Sequence, residues 1–313
     1  MTVRQPTNLP ASIHQRLLNQ AKREHRPLQE LLQYFTIERF LYRLSRSPHA
    51  HKFLLKGALM LRLWESPLAR PTMDIDLMGR ATVTEENLVT VIKEILSQEV
   101  PEDGVRFDPA SVHAEAIRLD ANCQGVRVRF IAYIGTMKLS MQVDVGFGDI
   151  VIPEPLSIKF PVLLDFPPPE LLAYTPESAI AEKFQAMVVL DTANSRMKDF
   201  YDIWSLARKK EFNGQVLRQA IEATFKQRRT PLPADVPVGL TAGFGKDKTK
   251  QTQWSAFLRK SRLETGATGF EEVIALLRSF LMPPTLTAAK DDPFEQQWPA
   301  GGPWRPTRKG RHA

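Results

Sequence analysis

One cysteine, Cys123, stands in 313 residues. An intrachain disulfide is therefore excluded, and a reducing compartment is the expected setting. No apolar run approaches the ~20 residues that a membrane-spanning helix needs. The opening stretch MTVRQPTNLPASIHQ lacks the apolar segment of a signal peptide. These absences point to a soluble cytoplasmic protein with no membrane contact. The six histidines show no metal-ligand spacing, and no internal repeat is present.

Acidic residues are also scarce at the start of the chain. Residues 1–70 hold twelve Lys/Arg against four acids (Glu24, Glu30, Glu38, Glu65), a local balance of +8, whereas the whole chain is +7 from 42 against 35. Such asymmetry suits a polyanionic partner, nucleic acid first, and suits a well-solvated helical surface equally. Hydrophobic content of 43% with 25% charged residues allows a substantial core, in two domains or one large one.

Apolar spacing predicts helices across residues 11–46 and an amphipathic helix from about Glu85 to Gln98. KFLLKGA reads as a short strand ending at Gly57, LMLRLW as the first turns of a helix, and DIDLMG as a strand. Residues 126–135 and 138–145 alternate like two half-buried strands about a turn at Gly135-Thr136. In the second of these, Leu139, Met141, Val143 and Val145 share one face and Asp144 takes the other. The proline run in DFPPPELL marks a boundary, after which Thr175 can cap a helix that starts at Pro176. Everything beyond reads as helical until a Pro-, Gly- and charge-rich tail. The expected division is 1–165 for the N-terminal helices and a sheet core, 166–283 for a helical domain, and 284–313 for a disordered basic tail. That tail would reach nucleic acid through Arg305, Arg308, Lys309 and Arg311.

Two carboxylates, Asp74 and Asp76, sit one residue apart in RPTMDIDLMG, so a strand would put both on one face. Like charges that close repel, and a divalent metal removes the repulsion. Mg²⁺ prefers oxygen ligands and is usually held by one or two carboxylates plus substrate phosphates. Asp144, on the polar side of its strand, is the natural third ligand. A D-x-D pair alone is a weak signal, since surface strands carry one by chance. The turn at Gly57-Ala58 raises its weight, because backbone amides there can meet a phosphate, although a glycine serving only a strand-to-helix turn is equally common.

The stretch FLLKGALMLRLWESPLARPTMDIDLMG resembles the AbiEii/AbiGii family of nucleotidyltransferase-like proteins, the toxin halves of type IV toxin–antitoxin systems. LSMQVDVGFGD, PESAIAEKFQAMV and NSRMKDFYDIW extend the resemblance over roughly residues 30–210. It implies an α+β fold: a nucleotidyltransferase-like mixed sheet flanked by helices and followed by a helical C-terminal domain. It also implies that Asp74 and Asp76 bind Mg²⁺ (or Mn²⁺), that Lys183 faces the phosphates of an NTP, and that Asp199 is required. Lys56, Gly57, Ala58, Arg70 and Thr72 are the further candidates for nucleotide contact. The implied activity is transfer of a nucleoside monophosphate to an RNA acceptor, tRNA foremost, blocking translation, with a cognate antitoxin as possible protein partner. Nucleotidylation of a small molecule or protein, and a degenerate RNA- or partner-binding module, are the alternatives.

From the residues alone, Lys183 reads equally as a lysine snorkelling from a packed helix. Asp199 and Asp202 share a helix face and could position that lysine, cap, or pair with Arg196 or Lys198. Tyr201 and Trp204 read as core. In the phosphate loop, family members often carry Gly-Gly or Gly-Ser followed by a hydroxyl residue. This chain has Gly57-Ala58-Leu59-Met60, which keeps the backbone amides and loses the hydroxyl.

Overall fold

The computed structural model describes residues 8–65, 72–80, 84–120, 123–263 and 269–307. The chain forms two compact units. The first comprises 1–63, 71–148 and 156–173, and the second 64–70, 149–155 and 174–313.

In the first unit, α1 (Leu9–Arg23) begins where the Asn8 side chain accepts from the Ala11 N–H. Then follow α2 (Leu28–Arg46), β1 (Phe53–Lys56), α3 (Leu59–Glu65), β2 (Ile75–Gly79) and α4 (Glu85–Leu96). β3 (Val105–Asp120), β4 (Cys123–Ile134), β5 (Met137–Phe147), β6 (Leu156–Lys159) and β7 (Glu170–Ala173) complete it. Its seven-stranded mixed sheet has the order β3-β4-β5-β2-β1-β7-β6. β1 runs antiparallel to β2, while β2 with β5 and β1 with β7 run parallel.

Alternation sorts the sheet's two faces. Leu55, Leu77, Val145 and Val126 lie side by side across four strands, and all are buried. Phe40 of α2 packs on Phe107 and Phe130 of the sheet, so this is the face that α2 covers. Shifting one residue along each strand gives Lys56, Asp76, Asp144 and Arg127, also side by side. Strand periodicity therefore delivers an apolar row for the core and a charged row on the opposite face.

Three features of this unit depart from expectation. β3 is a full strand where periodicity predicted no element. It is an edge strand with a register shift between Asp108 and His113, and residues 113–116 are all exposed, so no alternation marks it. The Pro167–Pro169 run does not end the unit, because the chain returns directly into β7. The Phe160 N–H donates to the Pro169 carbonyl, and Leu55 of β1 pairs with Ala173.

The N-terminal cations, finally, are partly spent inside. Arg43 forks onto Asp103 at 2.6 and 3.1 Å, and buried Arg39 lies over Phe35, Tyr42 and Phe166. Arg62 sits over the Tyr34 ring, 3.8 Å from buried Glu38. None of these three can meet a polyanion.

The second unit is mostly helical: α5 (Pro176–Leu190), α6 (Met197–Lys209), α7 (Gly214–Gln227), α8 (Ala242–Lys246), α9 (Lys248–Ser261) and α10 (Phe270–Ala289). Thr175 caps α5 through the Ser178 N–H with Pro176 at the first position, as expected. Tyr201 and Trp204 are buried. β8 (Phe212–Asn213), β9 (Gln296–Trp298) and β10 (Arg305–Pro306) form a small antiparallel sheet.

The expected disordered tail is corrected here over residues 284–307. α10 runs through Pro283 and Pro284 to Ala289. Proline at 284 withholds the N–H that would bond the Phe280 carbonyl, and the Trp304 indole N–H donates to that oxygen instead at 3.0 Å. The Trp304 ring stacks on Phe280 at 5.7 Å. Trp298 is buried and donates to the Ala207 carbonyl, near the end of α6, at 2.7 Å. Two tryptophans thus pin a segment whose composition resembled a linker. Arg305 lies exposed on β10, whereas Arg308, Lys309 and Arg311 fall outside the described residues. Among the described residues no helix is long and apolar enough to cross a membrane.

Candidate active site

The charged row on the sheet is where the expected site residues of the first unit gather. Asp76 is half-buried on β2, between Lys56 of β1 and Asp144 of β5. Asp74 is exposed and stands two positions earlier, one residue before the strand begins. Buried Ile75 and Leu77 anchor the same segment in the apolar face, which fixes the direction of both aspartates.

Gly57 closes on this row from β1. Its φ of +71° is a conformation that side chains rarely adopt. A Cβ placed there would collide with the Asp76 carboxylate. The glycine therefore serves two purposes at once: it turns the chain from β1 toward α3, and it lets Asp76 lie against the backbone of the turn. Ala58, next in the turn, is buried.

Asp144 is held differently. Arg127 of β4 donates from Nε and Nη2 to its two carboxylate oxygens, each at 2.8 Å, and Gln142 approaches at 3.4 Å. The hydrogen bond to Asp144 raises the Arg127 pKa further, with Asp74 and Glu115 adding to the attraction. Sequence reasoning missed Arg127. Among the described residues no three His, Cys, Asp or Glu side chains converge as a metal cage. Asp74, Asp76 and Asp144 share a sheet face without forming one. An oxygen-only pair from Asp74 and Asp76 still fits Mg²⁺, which leaves much of its shell to water and phosphate. Asp144, with both oxygens forked by Arg127, reads first as the partner of that arginine.

α2 braces the approach to the pair. The Tyr34 hydroxyl accepts from the Thr72 N–H at 3.0 Å. The Gln33 amide donates to the Ser140 carbonyl at 3.3 Å and lies 3.5 Å from that of Met73. Both side chains are buried on a helix that also buries Thr36, Glu38, Arg39 and Arg43, so no pattern in the sequence singled them out. Thr72 is thereby placed through its backbone, while Arg70 lies outside the described residues.

The second unit carries its own polar cluster. Lys183 on α5, 16% exposed, lies 2.9 Å from Asp199 and 2.8 Å from Asp202, both on α6 and both buried. Arg196 forms an ion pair with Asp199 from the other side at 2.6 Å. Burial pushes the Asp199 carboxyl up, but Lys183 and Arg196 together outweigh it and hold the group below its ordinary value. Asp199 is thus an anion that orients Lys183. Asp202 pairs with Lys183 and sits one helical turn from Asp199 on the same face. Two cations and two anions balance.

Residues 39–276 match a family model described as nucleotidyl transferase AbiEii toxin, type IV TA system. No curated protein matches the chain. Two solved structures resemble it remotely. JHP933 from Helicobacter pylori is 16% identical at a TM-score of 0.44, with 80% of this chain and 87% of that one covered. A candidate nucleotidyltransferase from H. pylori is 15% identical at 0.44, covering 80% and 89%. A likeness of that size carries no conclusion about activity.

Proposed function

The chain belongs to the AbiEii nucleotidyl transferase toxin family of type IV toxin–antitoxin systems, and from that premise we propose that it transfers a nucleoside monophosphate from an NTP to an RNA acceptor, tRNA foremost. The observation that supports this reading best is the packing of Asp76 against Gly57 beside Asp74. It puts two carboxylates at a backbone turn, on the polar side of a sheet whose other side is core. A divalent ion, when bound, would supply charge neutralisation at the reacting phosphate. Asp74 and Asp76 would hold it. The Gly57-Ala58 turn and Lys56 would face the phosphate tail, and Arg127 would hold Asp144 in place.

In the reaction an acceptor hydroxyl oxygen forms a bond to the α-phosphorus while the bond from the α-phosphorus to the oxygen that bridges it to the β-phosphorus breaks. Pyrophosphate leaves, and the hydroxyl proton passes to water. What the residues contribute is positioning and charge. Lys183 is assigned to nucleotide phosphates as a point charge, with Asp199 its positioning residue. A cognate antitoxin is the protein partner that this reading brings with it.

Incubating the protein with total RNA, Mg²⁺ and NTPs labelled at the α or the γ position tests the reading. Label enters RNA from the α position alone and vanishes in Asp76→Asn. Transfer from the γ position would make the protein a kinase and overturn it. Transfer into protein or a small molecule instead would refute the acceptor while keeping the chemistry.

A further inference from the structure

Helix α9 presents solvent with a face of cations and hydroxyls and no acid. Lys248, Ser255 and Arg259 fall on one side at helical spacing, with Thr249 and Lys260 beside them, and all are exposed. Arg262 follows at the end of the helix, also exposed. Among the described residues, Lys248, Arg259, Lys260 and Arg262 make no ion pair, whereas Arg43 and Arg62 at the other end of the chain have carboxylates beside them.

Lys248 is the first residue of α9, directly after the capping Asp247, whose side chain accepts from the Lys250 N–H at 2.9 Å. One of these cations stands where the helix itself disfavours it. Arg262 caps the other end in the left-handed region, at φ 52° and ψ 40°, a position that suits glycine or asparagine. Selection for stability alone would set a glycine there. The departure instead adds positive charge to the element, and such local conflicts concentrate where function has been selected.

We propose that this face of α9 is a docking surface for the phosphodiester backbone of the RNA acceptor. Lys248 and Arg259 are eleven residues apart, which spans about 16 Å of helix axis. That is long enough to follow several phosphates of one strand, with the hydroxyls of Thr249 and Ser255 lying between the charges. An acidic protein surface would need fixed carboxylates in register with these cations. A phosphate backbone offers a repeating charge that flexible cations and hydroxyls can meet in any register. The proposal rests on RNA being the acceptor class.

The full-length protein and a K248Q/R259Q/K260Q/R262Q variant are titrated against a fluorescent synthetic RNA hairpin with a single-stranded 3′ end, without NTP or metal, over a salt series. The slope of log affinity against log salt flattens by about 0.7–0.9 for each phosphate that the variant no longer neutralises, so by about 3 for the quadruple variant. Affinity at low salt falls at least tenfold, and the melting temperature holds. An unchanged slope overturns the proposal. Arg262→Gly raises the melting temperature by about 1–3 °C while weakening RNA binding. If it lowers the melting temperature and leaves RNA affinity intact, the face is structural and the proposal fails. Loss of binding to phosphatidylserine vesicles with RNA affinity unchanged would likewise refute RNA as the occupant. Because binding is read without NTP, an absence of nucleotidyl transfer refutes the transferase reading and not this one. Normal transfer to RNA with an unaltered slope refutes only this one.

Discussion

At Gly57 a single hydrogen atom decides the geometry of the candidate site. Alanine there would have to hold φ at +71° and displace the Asp76 carboxylate. Gly57→Ala should therefore lower stability by about 1–3 kcal/mol and abolish transfer with the rest of the sheet intact. A variant with wild-type melting temperature and rate would show that Asp76 does not depend on the turn.

Glu38 offers a second residue-scale test. Burial, against the pull of Arg62, the Leu163 N–H and Arg39, pushes its carboxyl from 4.5 up to about 7. The native state therefore keeps a proton that the unfolded chain releases above about 4.5. Stability from this group is complete below that pH and is lost as pH rises through about 7, on the order of 3 kcal/mol. The melting temperature of Glu38→Gln relative to wild type should climb between pH 4.5 and 8. A difference independent of pH would contradict the assignment. Two placements at this scale agree with the reading from spacing and resemblance: Gly57 lies against Asp76, and Lys183 pairs with Asp199. Arg127 was missed, although a hairpin turning at Gly135-Thr136 sets residue 127 opposite residue 144 and could have pointed to it. Glu38 was not legible in advance, because nothing in a helical pattern tells which polar residue the core will swallow.

Among the elements, those with clean periodicity agree between sequence and structure. α4, β4 and β5 fall where alternation or helical spacing put them. β3 escaped because an edge strand with a register shift is solvated on both faces through residues 113–116. α10 was cut short because proline in a helix interior normally ends it. It continues because a residue twenty positions beyond Pro284 supplies the missing donor. Trp304→Phe keeps the ring over Phe280 and removes the N–H, leaving a half-buried carbonyl without its partner. A decrease of about 1–3 kcal/mol in stability is expected. Ending the chain after residue 292 removes Trp298 as well and should cost more, about 3–5 kcal/mol for that buried ring alone. Thermal unfolding of both variants checks this, and unchanged midpoints would mean that the segment is a passive tail after all.

For the whole molecule, net charge was read correctly as a quantity, but three of its N-terminal cations do not reach the surface. The +8 of the first seventy residues suggested a polyanion-binding end. Arg39, Arg43 and Arg62 are buried with aromatic rings and acids, whereas Lys22 and Arg46 stay exposed at that end and a second group of exposed cations lies on α9. Charge counts do not say which side chains fold inward; only packing does. Family membership then supplies the chemistry that the separate clusters of the two units are read to serve. The most direct test of that reading is the mass of the RNA product. A synthetic RNA incubated with the protein, Mg²⁺ and one NTP at a time should gain whole nucleoside monophosphates at its 3′ end, with one pyrophosphate released for each, and should gain nothing with Asp74→Asn or Asp76→Asn. An RNA unchanged in mass with every NTP, from protein shown to be folded and to bind that RNA, would contradict the transferase reading.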